Sequence, residues 1–248
     1  MLYIVGMGLW DEKDITVRGL EAIKASEKVY LETYTTLLGG LNIERLEKEI
    51  GKPVIPLSRE DVEVKAEFIK EAKQSKIAIL VGGDPLVATT HHDLAIRAKE
   101  QGVSFEIIHN ASIVSAISET GLQSYKFGRT VTVPFPRENF RPRSFYDHII
   151  ENLDMGLHTL VLLDIDAENN KFMTVNEGLK LIKELDKPNR ISNVIGIARL
   201  GSKDKKIVYG PWNAVINEDF GNPPHCIVVP GKLHDVENRY ISLFWGKL

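Results

Sequence analysis

The sequence predicts an α/β protein of two domains, the first with a mainly parallel sheet and the second with a mixed sheet. Short apolar runs alternate with amphipathic segments along residues 1–110, which is the order typical of a parallel sheet with right-handed crossovers. After Asn110, some apolar runs follow one another too closely for a helix to fit between them, which favours antiparallel pairs. We therefore predict an N-terminal α/β domain at residues 1–110 and a C-terminal α/β domain at residues 111–248.

In the first domain, five short apolar runs predict the strands. They are residues 2–5, 29–31, 54–56, 77–81 and 104–108. The run 77–81 is uninterrupted and ends at Gly82 and Gly83, as expected of a parallel strand that is covered on both faces. Amphipathic spacing predicts helices at four segments between these strands. They are residues 16–25, 43–50, 62–74 and 92–101. The third of these rests on an apolar stripe that includes Phe68 and Ile69.

The second domain is predicted to contain five strands and two helices. The strands are residues 130–133, 159–163, 194–198, 206–209 and 226–229. The helices are residues 144–152 and 174–184. Because 206–209 follows 194–198 without room for a helical crossover, we expect these two strands to pair antiparallel.

Composition excludes several classes of function. A net charge of −3 gives no global attraction to nucleic acid or to an anionic membrane. No apolar run approaches the about 20 residues that a membrane span requires, so we expect neither a nucleic-acid partner nor a membrane. The single cysteine, Cys226, lies in an apolar run and is expected to be a buried structural thiol. With no targeting signal, the chain is expected to be cytoplasmic. Around His91 and His92 no side chains stand at zinc-ligand spacing, so we expect no metal.

The first strand leads into Gly6-Met7-Gly8, which is how a dinucleotide-binding turn begins. Asp11 stands where the third glycine of that motif would be, and Asp11, Glu12 and Asp14 would repel a pyrophosphate. In favour of a dinucleotide, Glu32 ends the second strand, where a ribose-binding acid would lie. S-adenosylmethionine, which has an adenosine and a sulfonium but no phosphate, fits the loop better. The simplest alternative is that these glycines only turn the chain.

A second loop of the same kind follows the strand 77–81. Gly82 and Gly83 permit positive φ and close approach of the backbone to a ligand, and Asp84 then offers a carboxylate. Ligands of open α/β sheets bind beyond the carboxyl ends of the strands, so both loops could line one cleft. The alternative for Asp84 is an exposed carboxylate in an ordinary turn.

A set of short motifs runs through nearly the whole chain in a fixed order. They are Gly6-Met7-Gly8-Leu9, Asp14-Ile15-Thr16, Ser58-Arg59-Glu60-Asp61-Val62-Glu63, Gly83-Asp84-Pro85-Leu86-Val87-Ala88-Thr89-Thr90-His91, Tyr125-Lys126-Phe127-Gly128, Gly156-Leu157-His158-Thr159-Leu160, Leu163-Asp164-Ile165, Asp219-Phe220-Gly221, Pro223-Pro224-His225 and Val229-Pro230-Gly231-Lys232-Leu233-His234. With this set the chain resembles the diphthine synthases, which are S-adenosylmethionine-dependent methyltransferases of the tetrapyrrole methylase superfamily. The Gly-Asp-Pro turn alone would indicate only the superfamily.

The resemblance implies a tetrapyrrole methylase-like fold, with the cofactor in the cleft between two α/β domains, and a homodimer. It implies transfer of a methyl group from S-adenosyl-L-methionine, which leaves S-adenosyl-L-homocysteine. The acceptor it implies is the amino group of a 3-amino-3-carboxypropyl-modified histidine on translation elongation factor 2, in a step of diphthamide biosynthesis. The implied cofactor-binding positions are Leu9, Asp84, Val87, Ser112, Ile113, Leu163, Leu200 and His225. Leu200 departs from the family, in which a smaller Ala is common.

Methyl transfer from a sulfonium to an amine is a direct displacement that needs no metal and no covalent nucleophile. Its main requirement is alignment of the reacting atoms. The sequence therefore points to no catalytic residue, although a cleft carboxylate such as Asp84 could take the proton of the amine. Three alternatives remain open: a methyltransferase of the same superfamily that acts on a tetrapyrrole or corrin precursor, a non-catalytic scaffold that binds an adenosine ligand, and a dinucleotide-dependent oxidoreductase.

Overall fold

The computed structural model describes residues 1–35, 38–138 and 141–246. The chain forms two compact units, Met1–Ile113 and Val114–Leu248. The strands of the first unit are β1 (Leu2–Gly6), β2 (Lys28–Glu32), β3 (Val54–Leu57), β4 (Ile77–Val81) and β5 (Phe105–Ile108). They form one sheet in the order β3-β2-β4-β1-β5, and every pair in it is parallel. All five residues of β4 are buried, which confirms the prediction of a central strand covered on both faces.

The helices of the first unit are α1 (Val17–Ala25), α2 (Ile43–Ile50), α3 (Glu67–Glu71) and α4 (His92–Glu100). Three of these four helices begin and end within one residue of the predicted bounds, and α3 is the exception. The side chain of Thr16 caps α1 by accepting a hydrogen bond from the amide of Gly19 at 3.0 Å. Gly51 ends α2 in the left-handed conformation, with φ of 72°.

The prediction of one continuous helix at 62–74 is wrong, because the segment is broken. A π-helical turn, Asp61–Lys65, comes first, and Ala66 then adopts φ of 45° before α3 begins. On a regular helix Phe68 would lie about 120° around the axis from Val62, so one straight helix could not bury both side chains. The break brings both to the core, where Val62 is 1% and Phe68 2% exposed.

The second unit contains a mixed sheet and a short hairpin. Its strands are β6 (Val131–Val133), β7 (Thr159–Leu163), β8 (Ile165–Asp166), β9 (Lys171–Phe172), β10 (Asn193–Ala198), β11 (Lys206–Pro211) and β12 (His225–Val229). The main sheet has the order β11-β10-β12-β7-β6. Its β6–β7 pair is parallel and the other three pairs are antiparallel. The predicted antiparallel pairing of β10 with β11 is confirmed, with Ile197 opposite Ile207.

Two longer helices pack against this sheet, and three further helices were not predicted. The helices are α5 (Ile113–Ala116), α6 (Ser144–Asp154), α7 (Val175–Leu185), α8 (Trp212–Val215) and α9 (Asp235–Phe244). Helix α7 begins with a capping box, in which Thr174 and Glu177 satisfy each other's backbone amides. Among the described residues, no helix is both long and apolar enough to cross a membrane.

A buried ion pair ties helix α9 to the rest of the second unit. The carboxylate of Glu237 is fully buried and accepts hydrogen bonds from the amides of Gln123 at 2.9 Å and His234 at 2.7 Å. It also pairs with Lys126 and with Nε2 of His158, at 3.0 Å from the latter. Burial alone would raise the pKa of Glu237, but these four partners together lower it to about 2.

The shift gives this network a defined pH dependence. Because the folded-state pKa of Glu237 lies below its usual value of 4.5, the stabilisation is present above about pH 4.5 and is lost as the pH falls toward 2. A change from 4.5 to about 2 corresponds to about 3 kcal/mol of folding free energy. His158 acts in the same direction, because burial lowers its pKa and acid must then charge a buried ring.

We expect Glu237→Gln to lower the free energy of unfolding at pH 7 by about 2–4 kcal/mol, because it leaves Lys126 and two amides without their anion. The loss of stability between pH 5 and pH 3 should also become shallower. Urea unfolding followed by circular dichroism at several pH values measures both effects. Glu184→Gln, on the exposed side of α7, is the matched control. If Glu237→Gln and Glu184→Gln changed the free energy of unfolding and its pH dependence equally, the stabilising role of Glu237 would be contradicted.

Candidate active site at the carboxyl edge of the parallel sheet

Three loops meet where the adjacent strands β4, β1 and β5 end. Gly8 of the first loop and Gly83 of the second form an isolated antiparallel bridge. Its two N–H···O distances are 3.2 Å from Gly8 to Gly83 and 2.8 Å in the opposite direction. The two glycine loops that the sequence suggested could share a cleft are therefore directly bonded to each other.

The close approach of these loops requires glycine at two positions. A Cβ on Gly6 would lie 2.6 Å from the carbonyl oxygen of Gly83. Gly8 has φ of 79°, and a Cβ there would lie 2.5 Å from Cβ of Asp14. A side chain at Gly6 would push the two loops apart, and one at Gly8 would displace Asp14 within the first loop, so both glycines do more than turn the chain.

The third loop supplies the clamp on the first. Nδ2 of Asn110 donates hydrogen bonds to the carbonyl oxygens of Gly6 and Asp14, both at 2.9 Å. These two carbonyls lie on either side of the Gly-x-Gly turn, so one side-chain amide fixes both ends of the first loop. Sequence reasoning missed Asn110, although its position just after a predicted strand was a usable signal.

The amides of Leu9 and Trp10 in the first loop are not available to a phosphate. Oδ2 of Asp14 accepts hydrogen bonds from the amides of Leu9 at 3.2 Å and Trp10 at 2.8 Å. A pyrophosphate would need these same N–H groups and would also meet the carboxylate that already holds them.

Glu32, the residue whose position favoured a dinucleotide ligand, is also hydrogen-bonded within its own turn. Its Oε1 accepts hydrogen bonds from the amides of Tyr34 and Thr35, both at 2.6 Å. Its Oε2 pairs with the hydroxyl of Thr35. The side chain is 1% exposed, so it does not present itself to a ribose in the way a dinucleotide fold requires. The Gly-x-Gly loop and Glu32, the two features that favoured a dinucleotide ligand, therefore serve the local structure.

Asp84 is a buried anion rather than an exposed turn carboxylate. The residue is 8% exposed. Its Oδ1 accepts a hydrogen bond from the amide of Leu86 at 3.0 Å. Its Oδ2 accepts one from the amide of Asn110 at 3.2 Å and contacts Nδ1 of His109 at 2.8 Å. A carboxylate has about four acceptor positions, so one remains for a donor on a ligand.

The other predicted positions of the first unit lie in the same three loops. Leu9 follows the Gly8 bridge, and Val87 lies beyond Asp84 in the β4 loop, where its amide donates to the carbonyl of Asp84 at 3.3 Å. Ser112 follows β5 and is 7% exposed, and Ile113 begins α5. The fold thus brings all five predicted positions of this unit to one edge of the sheet.

The predicted positions of the second unit also share one sheet edge. Leu163 ends β7, Leu200 follows β10 and His225 begins β12. Because β12 runs antiparallel to both neighbours, with His225 opposite Ala198, these three strand ends coincide. Leu163 and Leu200 are 8% and 6% exposed.

His225 has both ring nitrogens engaged within the chain. Nδ1 accepts a hydrogen bond from the amide of Val175 at 3.2 Å, and Nε2 contacts the carbonyl oxygen of Asn222 at 3.1 Å. Burial lowers the pKa of His225, so the ring is neutral, with its proton on Nε2. Any contact it makes with a ligand would use the ring face or the backbone.

Neither thiol nor metal chemistry is indicated by the described part of the chain. Cys226 is a free, buried thiol, and burial raises its pKa to about 12. Within residues 1–35, 38–138 and 141–246, no group of three His, Cys, Asp or Glu side chains is arranged to hold a metal ion.

Comparison with known proteins identifies the family. Residues 1–215 match the family model of the tetrapyrrole (corrin/porphyrin) methylases. The chain is 48% identical to the diphthine synthase of Methanocaldococcus jannaschii over an alignment of 246 residues, and the alignment covers 96% of each chain. The chain belongs to the diphthine synthase family.

Other members of the diphthine synthase family agree in sequence and in fold. The probable diphthine methyl ester synthase of Arabidopsis thaliana is 45% identical over 98% of each chain. The crystal structure of a putative diphthine synthase from Entamoeba histolytica superimposes with a TM-score of 0.91 at 42% identity, covering 100% of this chain and 99% of that one. The fold is therefore tetrapyrrole methylase-like, and this diphthine synthase family member is a methyltransferase that uses a methyl donor.

The clamp on the first loop leads to a stability prediction. We expect Asn110→Ala to lower the free energy of unfolding by about 1–3 kcal/mol, because the carbonyls of Gly6 and Asp14 lose their shared donor. Chemical denaturation measures this change. Asn238→Ala, at an exposed position of α9, should change the same quantity by less than about 0.5 kcal/mol. A loss no larger than that of the control would contradict the role of the clamp.

Proposed function

We propose that this chain uses S-adenosyl-L-methionine to methylate the amino group of a 3-amino-3-carboxypropyl-modified histidine on translation elongation factor 2, a step of diphthamide biosynthesis. The observation that carries the choice of cofactor is the engagement of the first-loop amides by Asp14. It leaves a glycine-built ligand loop that has no place for phosphate, and S-adenosylmethionine is a common adenosine cofactor without one.

The site residues fit this cofactor in charge and in shape. The carboxylate of Asp84 is buried and has an acceptor position to spare, which suits a hydroxyl donor or the positive charge of the ligand. Gly83 has φ of 73°, and the nearest atom beyond its chain neighbours to a Cβ built on it belongs to Ser112 at 3.7 Å, so there is space for a ligand beside this residue. We propose the eight predicted positions as its contacts: Leu9, Asp84, Val87, Ser112, Ile113, Leu163, Leu200 and His225.

The chemistry then depends mainly on positioning. S-adenosylmethionine supplies the methyl group, whose transfer leaves S-adenosyl-L-homocysteine. The residues around the glycine bridge hold the ligand in one orientation, and orientation of this kind can supply about 7–11 kcal/mol of the barrier. The Asn110 clamp serves this task, because it joins the first and third loops through a single side chain.

A second candidate activity is formation of a methyl ester. It is supported by the similarity to the Arabidopsis relative named a probable diphthine methyl ester synthase. The proposed acceptor carries a carboxylate beside its amine, so one enzyme could methylate both groups in succession. The two products differ in chemistry, since alkali hydrolyses an ester and leaves a methylated amine intact.

The proposed substrate also suggests the setting in which the enzyme works. An elongation factor acts where ribosomes translate, so we propose a cytoplasmic enzyme. We further propose a homodimer, as the resemblance to the family implies. The exposed apolar side chains of Val236, Leu243 and Phe244 on α9 support it, because an apolar face on a helix is commonly covered by a partner.

For the cofactor site, we expect Asp84→Ala to abolish measurable binding of S-adenosylmethionine in isothermal titration calorimetry while the protein stays folded. The variant loses the buried anion and the partner of His109. Asp147→Ala, which removes only a surface ion pair with Arg143, should bind as the wild type does. Unchanged affinity of the Asp84→Ala variant for S-adenosylmethionine would contradict the proposed cofactor site.

For the substrate, we expect methyl-labelled S-adenosylmethionine to transfer label to elongation factor 2 that bears the precursor side chain. Label should be absent from a factor whose modified histidine is replaced by alanine. Alkali-stable label indicates N-methylation, and alkali-labile label indicates the ester. Label found only on an added corrin precursor would favour the alternative small-molecule activity, and cofactor binding without transfer to either would favour the scaffold.

A further inference from the structure

Two of the motifs shared with the family have no role in the site described above. They are residues 58–63, after β3, and the end of the β4 loop at 89–91. In the first unit these two stretches line one cavity of about 260 Å³. Its lining residues are Val62, Glu63, Thr90, His91, Asp93 and Leu94.

Buried polar atoms near this cavity lack partners. His91 is 1% exposed, and neither of its ring nitrogens has a hydrogen-bond partner in the described part of the chain. The same holds for the hydroxyls of Tyr34 and Thr89. Each such group costs about 1–3 kcal/mol when it is left unpaired. A ligand that bonds to His91 would recover part of this cost, so the cluster is suited to binding.

The backbone around the cavity is held in uncommon conformations. The wall at 61–65 is the π-helical turn, and Ala66 after it and Ala88 in the β4 loop have φ of 45° and 55°. Such features concentrate at functional sites. Arg97 fixes the two walls to each other, because it donates to the carbonyl of Glu63 and pairs through Nε with Asp93 at 2.5 Å.

The charges that face His91 are mainly negative. Oε2 of Glu32, from β2, lies 4.0 Å from Nε2 of His91. Glu63 of the π-helical turn and Asp93 of α4 line the cavity with it. The bases near them are Arg97, which pairs with Asp93, Arg59, which lies over the ring of Tyr34, and the adjacent His92. A cavity with this lining favours a cation, such as an ammonium group.

The ring is available as a base. Burial lowers the pKa of His91, and the carboxylate of Glu32, the nearby backbone of Pro85 and the carboxylate of Glu63 oppose this only in part. The imidazole is therefore neutral at pH 7. When the ring takes up a proton, the nearby carboxylate of Glu32 stabilises the imidazolium.

The cavity lies at the sheet edge that holds the cofactor loops. His91 ends the loop that contains Asp84, and Glu32 ends β2, the neighbour of β4. Adjacent strands are about 4.8 Å apart, so the β2 and β1 strand ends lie on either side of this loop within about 10 Å of each other.

We propose that this cavity receives the protonated amine of the acceptor side chain and that Nε2 of His91 takes the proton which the amine must lose before methylation. The inference rests on the proposed function. In the step, an N–H bond of the ammonium breaks and its proton forms a bond to Nε2. The freed lone pair of the amine forms the N–C bond, and the electron pair of the breaking C–S bond stays on sulfur. The imidazolium then returns its proton to solvent. Glu32 is a positioning residue that stabilises the imidazolium.

The test compares His91→Gln with the matched control His92→Gln, whose side chain is exposed. For His91→Gln we expect kcat for label transfer at pH 7 to fall about 100-fold or more. The defect should shrink as the pH rises toward the pKa of the amine, where the amine loses its proton unaided. His92→Gln should keep wild-type rates. In the wild type, the acid limb of the kcat profile should lie below pH 6.5, because burial lowers the pKa of His91 from that ordinary value.

Two checks separate a chemical role from a structural one. Affinity for S-adenosylmethionine, measured by calorimetry, should stay within threefold of the wild type in His91→Gln. Glu32→Gln should lower kcat and move the acid limb of the profile to lower pH, because the ring loses the charge that supports its protonation. A His91→Gln defect of equal size at every pH, or activity within twofold of the wild type, would overturn the proposal.

A second variant tests the cavity even if His91→Gln does not fold. The double change Glu63→Gln with Asp93→Asn alters exposed side chains of the cavity. Without methyl donor present, it should weaken binding of the precursor-bearing elongation factor about tenfold, and unchanged binding would overturn the cavity as the amine site. Failure of the wild type to label the factor would instead count against the proposed function, so the two failures can be told apart.

Discussion

The side-chain amide of Asn110 holds together the loops in which the proposed cofactor site lies. It reaches from the loop after β5 to two carbonyls of the loop after β1, and that loop is in turn bridged to the loop after β4 through Gly8 and Gly83. Parallel strands bring these three loops to one edge, but strand order alone would leave them independent. The hydrogen bonds make them one rigid surface, which a methyltransferase needs because its catalysis is mainly alignment.

The same edge uses its carboxylates in two different ways. Asp14 and Glu32 are engaged with the amides of their own loops, so their charge shapes the backbone and removes a phosphate site. Asp84 and His91 keep acceptor capacity, the first with one position to spare and the second with two nitrogens unpaired among the described residues. Local hydrogen bonding therefore decides which polar groups build the loops and which can meet a ligand.

Much of the fold could be predicted from the sequence, because strands such as β4 and caps such as Thr16 are determined by local pattern. The break at Ala66 could not, since it arises from the need to bury Val62 and Phe68 together. Helix α9 was missed although its capping box of His234 and Glu237 is a local signal, and only its anchoring to Gln123 and His158 depends on residues far away in sequence. At the site, the motifs pointed to Asp84, whereas the clamp of Asn110 and the unpaired ring of His91 depend on loops that only the fold brings together.

The buried state of Cys226 has a practical consequence for studying this enzyme. It is the single cysteine of the chain, it is 5% exposed, and burial raises its pKa to about 12, so hardly any reactive thiolate is present at neutral pH. A cysteine introduced at an exposed position would be the one site open to maleimide reagents. Fluorophores or spin labels could then report on loop motion without first removing a native thiol from the core.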